Sequence, residues 1–143
     1  MDTLFPMSAM DAEALQRFLV EAFPDYPPLF VVEEAAGLSV RLRLPKAALR
    51  DRPGGTVSGP TLMAFADSTA WIAVCAQIGP VALAVTTSLH IDFLRKPEMV
   101  DLFAWGEVLK LGRHLAVVDV AMRSEGRDEL VAKAQVTYSI PPR

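Results

Sequence analysis

The sequence predicts an α+β domain in which one long central helix is wrapped by a single antiparallel sheet, with a shorter helix in front of it. Three observations predict this. A run of about twenty residues after Ser58 is apolar nearly all round and carries no internal breaker after Pro60. Stretches before and after it are rich in Val, Leu and Thr and are cut by Gly- and Pro-containing turns. The order is helix, two strands, long helix, four strands, which suits one sheet closing over one helix.

The first helix is predicted over residues 8–22. Leu15, Phe18, Leu19 and Phe23 fall on one face, while Asp11, Glu13, Arg17 and Glu21 lie mostly off it. Ser8 is a candidate N-cap, with Asp11 in the first turn, and the run from Pro24 to Pro28 stops the helix. Strands are predicted at 29–35 and 38–44. In the second, Leu38, Val40, Leu42 and Leu44 alternate with Ser39, Arg41 and Arg43, the mark of a half-buried strand. Ala36-Gly37 makes the turn between them, and residues 45–58 read as a loop. The central helix opens at Ser58 or Gly59, with Pro60 in its first turn, and closes at Gly79-Pro80. Further strands are predicted at 81–94, 102–111, 114–123 and 130–140, separated by Lys96-Pro97, Gly112-Arg113 and Glu125-Gly126-Arg127-Asp128. A sheet covers only one side of a helix. A central helix this apolar therefore calls for a second cover, which a second copy of the chain would supply.

Bulk composition narrows the function. A length of 143 residues suits one domain, with residues 1–28 as a helical extension and 29–140 as the core. The apolar share of 52 % lies above the usual range and fits surface buried between subunits. A net charge of −3 offers no field for nucleic acid. One cysteine, Cys75, excludes an internal disulfide and gives no metal-site spacing. The N-terminus shows no basic region followed by an apolar run, so a cytoplasmic protein is expected. Residues 59–78 tempt a membrane-spanning assignment, but Asp67 near their middle would cost about 2.5–3.5 kcal/mol at a bilayer centre. A core helix is the better reading, and no membrane partner is expected.

Asp67 is the most informative residue. From Pro53 to Ile91 it is the only formally charged side chain. Burying a lone carboxylate costs several kcal/mol unless something pairs with it, so its presence in the apolar helix points to chemistry.

Several segments carry a family likeness: Ser58-Gly59-Pro60 with Asp67 beyond, Ile91-Asp92-Phe93-Leu94-Arg95-Lys96-Pro97, Leu111-Gly112-Arg113, and Ala132-Lys133-Ala134-Gln135-Val136-Thr137-Tyr138. In this order and spacing the chain resembles the hotdog-fold acyl-CoA thioesterases of the phenylacetate-pathway, PaaI-like type, over roughly residues 29–140. The family pattern is His-Gly-Gly followed by an acid eight positions after the first Gly. Here that Gly is Gly59 and the acid is Asp67. Ser58 stands where the family has His, Pro60 replaces the second Gly, and Arg52 falls near an upstream Asn or Gln. The acid and the key glycine remain while the polar helpers differ.

The resemblance implies hydrolysis of acyl-CoA thioesters, with CoA as part of the substrate and no separate cofactor or metal. Thioester hydrolysis needs a group that stabilises charge on the carbonyl oxygen and a delivered nucleophile. The Gly59 N–H at a helix N-terminus suits the first need, with the Thr61 N–H as a second donor, since Pro60 has none. Asp67 suits the second, as nucleophile or as general base toward water. Eight helical residues span about 12 Å, so Gly59 and Asp67 of one chain do not reach the same carbonyl. Two antiparallel central helices across a two-fold axis would bring Gly59 of one chain to Asp67 of the other. Two shared sites per homodimer are expected, as the resemblance also implies, and dimers can pair further into homotetramers.

Other candidates are weaker. Thr86, by family position, or Thr87 would hold the attacking water or orient the carboxylate. Arg95, Lys96 and Arg113 sit at strand ends where loops could grip CoA phosphates, or form solvated basic turns. Arg52 lines the pocket mouth or pairs with Asp51. Ser58 donates to the thioester carbonyl or caps the helix. Trp71, four residues beyond Asp67, walls an acyl pocket or packs against the partner helix. The apolar and aromatic residues flanking Asp67 favour medium-chain or aryl acyl groups. His90 reads as a structural strand residue and His114 as a solvent-facing turn residue. Two other functions compete: a hotdog dehydratase or hydratase, which pairs its acid with a histidine absent from the central helix and its preceding loop, and a non-catalytic acyl-CoA binding protein.

Overall fold

The structure, a computed structural model, describes residues 9–49, 51–52 and 54–142, without the side chains of Asp51 and Arg52. Helix α1 (Ala12–Ala22) is followed by strands β1 (Val31–Ala36) and β2 (Ser39–Leu44). After a short 3₁₀ turn come the two-residue strands β3 (Asp51–Arg52) and β4 (Thr56–Val57), then helix α2 (Gly59–Ile78). Strands β5 (Val85–Phe93), β6 (Leu102–Leu111), β7 (Leu115–Ser124) and β8 (Leu130–Ser139) complete the chain. Six strands form one antiparallel sheet in the order β1-β2-β6-β7-β8-β5, and β3 and β4 pair separately. The sheet wraps α2, which is the hotdog fold.

The long elements match expectation and the differences are local. Ser8 lies outside the described residues, and the α1 cap is Asp11, whose carboxylate accepts from the Ala14 N–H at 2.8 Å. An aspartate one residue before the first helical N–H groups does the work assigned to Ser8. The predicted loop 45–58 contains the β3–β4 hairpin, too short to show as alternation. Residues 81–84 are not strand: Ala84 N–H bonds the Val81 carbonyl in a turn, and β5 starts at Val85. His90 is exposed beside Asp92 rather than packed, because it lies opposite Gln135, itself exposed, on the sheet face away from α2.

Helix α2 is held by Ser58, whose hydroxyl accepts from the Thr61 N–H, and it ends at Gly79 with φ of +98°, a conformation that favours glycine. The helix is long and apolar enough to cross a bilayer, yet about two thirds of it is buried inside the fold. Val40, Leu42, Ala104, Val118, Val120, Ala134 and Val136 face it from the sheet. Gly106 permits a close approach. A Cβ there would stand 3.0 Å from Thr69 Cγ2 and 3.2 Å from Val40 Cγ2. Thr69 is fully buried, and its hydroxyl is tied to the Phe65 carbonyl at 2.7 Å, so it has little freedom to yield.

The cover over α2 is incomplete. Pro60, Met63 and Ala64 are exposed and Asp67 and Ser68 half-buried, positions that repeat at three and four residues and so trace one stripe. The C-terminal part of α2 is covered by α1. Phe18 and Phe23 pack on Trp71 with ring centroids 5.5 and 5.8 Å away, and Leu15 and Leu19 are fully buried. Gln16 Oε1 accepts from the Val32 N–H at 2.9 Å and ties α1 to β1.

On the outer face of the sheet, Arg43 bonds Glu33, Asp101 and Glu125 and stacks 4.3 Å from the centre of Phe103. The Lys46 N–H and then Arg43 hold the Asp101 carboxyl below the usual carboxylate range. This network closes the face away from α2.

Two outcomes follow from this packing. Gly106→Ala should lower unfolding stability by about 1–3 kcal/mol through overpacking against Thr69, read from urea denaturation midpoints. Burial pushes the Cys75 thiol up to about 11, so the native protein should hold this thiol unreactive toward an aromatic disulfide reagent at pH 8 and release it on unfolding.

Candidate active site

Asp67 lies near the middle of α2 on the uncovered stripe, half-buried rather than sealed in the core. The sheet supplies its partners. Thr86 on β5 and Tyr138 on β8 are cross-strand neighbours, so their side chains share the face toward α2. The Thr86 hydroxyl donates to Asp67 Oδ1 at 2.6 Å. The Tyr138 hydroxyl lies 2.8 Å from the same Oδ1 and 3.0 Å from the Asp67 main-chain carbonyl. Burial pushes the Tyr138 hydroxyl well above the usual tyrosine range; the Thr86 hydroxyl opposes this and the Asp67 carboxylate adds to it. Tyr138 therefore stays a proton donor through the neutral range.

Asp67, Thr86 and Tyr138 line a cleft of about 450 Å³ together with Phe23, Ser68, Trp71, Ala82, Ala84 and Val85. Among the described residues its walls carry no other charged side chain. Trp71 stands beside Asp67 as the helical spacing predicts; it lines this cleft and packs on Phe18 of α1 in the same chain. Its indole N–H donates to the Val81 carbonyl at 3.1 Å. A smaller apolar recess of about 210 Å³, lined by Phe30, Leu44, Ala48, Thr61, Ala64, Phe65 and Ser68, lies on the other side of Ser68.

Gly59 lines a different cleft, of about 680 Å³, with Thr56, Val57, Pro60, Leu62, Phe93, Leu94, Arg95, Lys96 and Pro97. A Cβ on Gly59 would stand 3.6 Å from the Phe93 ring, ordinary contact, so the glycine is adjacent to the end of β5. Thr86 is near the start of the same strand. The glycine with its basic neighbours and the acid with its hydroxyls thus lie apart, toward opposite ends of β5.

The remaining candidates sort by position. Ser58 caps α2; its Oγ is 2.8 Å from Thr61 Oγ1 and 3.4 Å from Thr61 N. The Thr61 N–H is therefore engaged in the cap, which leaves Gly59 as the better placed donor. The Thr87 hydroxyl donates to the Thr137 carbonyl at 3.0 Å, at a bulge in the β5–β8 pairing, and does not meet Asp67. Arg95 and Lys96 are together beside Gly59, with Arg95 also bonding the Leu130 carbonyl at 2.9 Å. Arg113 is in the β6–β7 turn, at the sheet end near Tyr138 and away from Arg95. Arg52 is in β3, and its side chain is outside the description. Neither histidine lines the Asp67 cleft. Among the described residues no group of three or more His, Cys, Asp or Glu could hold a metal ion.

Tyr138 is the residue that sequence reasoning missed. It appears there only as the last residue of the closing likeness segment. The available signal was a hydroxyl-bearing aromatic at a core position, since a buried tyrosine hydroxyl usually finds a partner.

Comparison with known proteins identifies the family. The thioesterase superfamily model matches residues 54–138. A crystal structure of a provisionally assigned thioesterase from Silicibacter sp. TM1040 is 43% identical, with a TM-score of 0.87 and 94% of each chain covered. Zebra fish thioesterase superfamily member 2 is 19% identical and shares the fold, with a TM-score of 0.79 over 93% of this chain and 100% of that one. A provisionally assigned esterase of Thermoplasma acidophilum is 26% identical over 102 residues, covering 71% of this chain and 76% of its own length. A family match over more than half of the chain, and a relative of such identity along nearly its whole length, make this chain a member of the thioesterase superfamily, with thioester hydrolysis as its class of reaction.

Proposed function

We propose that the chain hydrolyses acyl-CoA thioesters with medium-chain or aryl acyl groups, at two sites shared across a homodimer. The observation that carries this is the split of the candidate groups. Asp67 opens onto a cleft walled by Phe23, Trp71 and Tyr138, while Gly59, Arg95 and Lys96 line another. The apolar walls suit an acyl group, and the basic pair suits the phosphates of CoA.

A second copy joins the halves. Strand β5 ends the sheet, and Val85 and Phe93 are more than half exposed along it. An open, apolar edge is a template for another strand. Antiparallel pairing of two β5 strands about a two-fold axis would set the Phe93 end of one copy beside the Thr86 end of the other. Gly59 and the basic pair would then face the partner copy's acid. The uncovered stripe of α2, with Met63 exposed, would be buried by the same association.

In this site the Gly59 N–H polarises the thioester carbonyl. Asp67 acts by one of two balanced routes. As a base it takes a proton from water while the water oxygen bonds to the carbonyl carbon. As a nucleophile its oxygen bonds to that carbon, and water later cleaves the mixed anhydride. In both, the C–S bond breaks, its electron pair leaves with sulfur, and the sulfur gains a proton. The products are the free acid and CoA.

Free CoA release from a panel of acyl-CoA esters tests this. Asp67→Asn should lower turnover by about 10²-fold or more. Binding of an acyl-CoA without turnover by the wild-type protein would favour a binding protein instead. Co-expression of Gly59→Val with Asp67→Ala tests sharing. A mixed dimer carries one intact site of two, so it should recover about half the wild-type activity, while each variant alone stays inactive. Equal inactivity of folded mixed dimers would count against catalysis across chains.

A further inference from the structure

We propose that Tyr138 is a positioning residue that, with Thr86, anchors Oδ1 of Asp67 so that Oδ2 alone acts on the substrate. The inference rests on the hydrolase reading and assigns different tasks to the two carboxylate oxygens.

The geometry is specific. Two hydroxyls converge on Oδ1, at 2.6 and 2.8 Å, and Oδ2 has no hydrogen-bond partner among the described residues. The anchors come from neighbouring strands in fixed register, Thr86 opposite Tyr138, and Tyr138 is itself opposite Ala116 on β7. Their separation is set by the sheet ladder rather than by flexible side chains. Tyr138 is only 4% exposed, so its ring is held by packing. Its oxygen also lies 3.0 Å from the Asp67 main-chain carbonyl, so one hydroxyl contacts both the backbone and the carboxylate of the acid. Each hydroxyl has one proton to give. Thr86 gives its proton to Oδ1 and Tyr138 shares its proton between Oδ1 and the Asp67 main-chain carbonyl, so both hydroxyls stand on the Oδ1 side and leave the other oxygen for the cleft.

The chemistry benefits from this division. Whether Oδ2 takes the proton of the attacking water or bonds to the acyl carbon, its alignment must be held within about 1 Å, since misplacement of that order can cost about 10²-fold in rate. The donors on Oδ1 remain in place through either route. The Thr86 hydroxyl, spent on Asp67, positions the carboxylate rather than a water.

The test is Tyr138→Phe, which keeps the ring and removes the hydroxyl. We expect kcat to fall about 10- to 100-fold with KM changed less than about twofold, because the loss concerns alignment rather than binding. Thr86→Val should act in the same direction, and Thr86→Ser should recover most of what Thr86→Val loses. Crystals of Tyr138→Phe should show the Asp67 carboxylate plane rotated, a readout that needs no turnover. An unchanged kcat in folded Tyr138→Phe overturns the proposal. So does an unmoved carboxylate, whatever the rate, and so does a loss confined to KM. If Tyr138→Phe does not fold, the Thr86→Val and Thr86→Ser pair decides by the same criteria. Asp67→Asn separates this from the reading beneath it: full activity there discards the hydrolase site, whereas an inactive Asp67→Asn beside a fully active Tyr138→Phe discards only the anchoring role.

Discussion

One sheet can cover only one side of a helix, and the rest of this structure is arranged around that limit. Helix α2 is buried against the sheet along most of its length, and the Gly106 gap lets helix and strand meet at van der Waals distance. The opposite side is left as a stripe of Pro60, Met63, Ala64, Asp67 and Ser68. Because the carboxylate is on the margin of the stripe, it has access to a cleft and to two sheet hydroxyls at once. Turned into the sheet, it would face aliphatic side chains at a cost of several kcal/mol.

The N-terminal helix completes the other end. Phe18 and Phe23 close over Trp71, and Phe23 reaches the cleft of Asp67. The family match begins only at residue 54, so α1 adds an aromatic wall from outside the matched region. The cleft thus sets the rings of Phe23 and Trp71 beside a polar group of Asp67, Ser68, Thr86 and the Tyr138 hydroxyl. At the other end of β5 the charged side chains are basic, with Arg95 and Lys96 beside the helix N-terminus among apolar Leu62, Phe93 and Leu94. A single chain therefore separates the electrostatic functions that one thioester would need together.

Much of this was legible locally. A lone acid in an apolar run, a serine before Gly-Pro and a terminal glycine each act within one or two helical turns, so Asp67, Ser58 and Gly79 could be read from their neighbours. The alternation in β2, β7 and β8 likewise reports burial on one face at short range. The brief β3–β4 hairpin could not be read, because two-residue strands leave no period. The exposure of β5 was also hidden: its residues are strand-like, but only the sheet order makes them an edge.

The sequence by itself determined the element types, the burial of α2 and the identity of the one acid within it, since these depend on hydrophobic period and the cost of a buried charge. Only the tertiary structure decided which groups meet that acid. Thr86 and Tyr138 are far apart along the chain and become neighbours through the β5–β8 register, and the helix then crosses both. Thr86 and Thr87 are chemically alike in the sequence, yet a bulge turns one toward Asp67 and the other toward the Thr137 carbonyl. Side-chain direction on a strand flips with each residue, so a local change in pairing selects the partner that composition cannot distinguish.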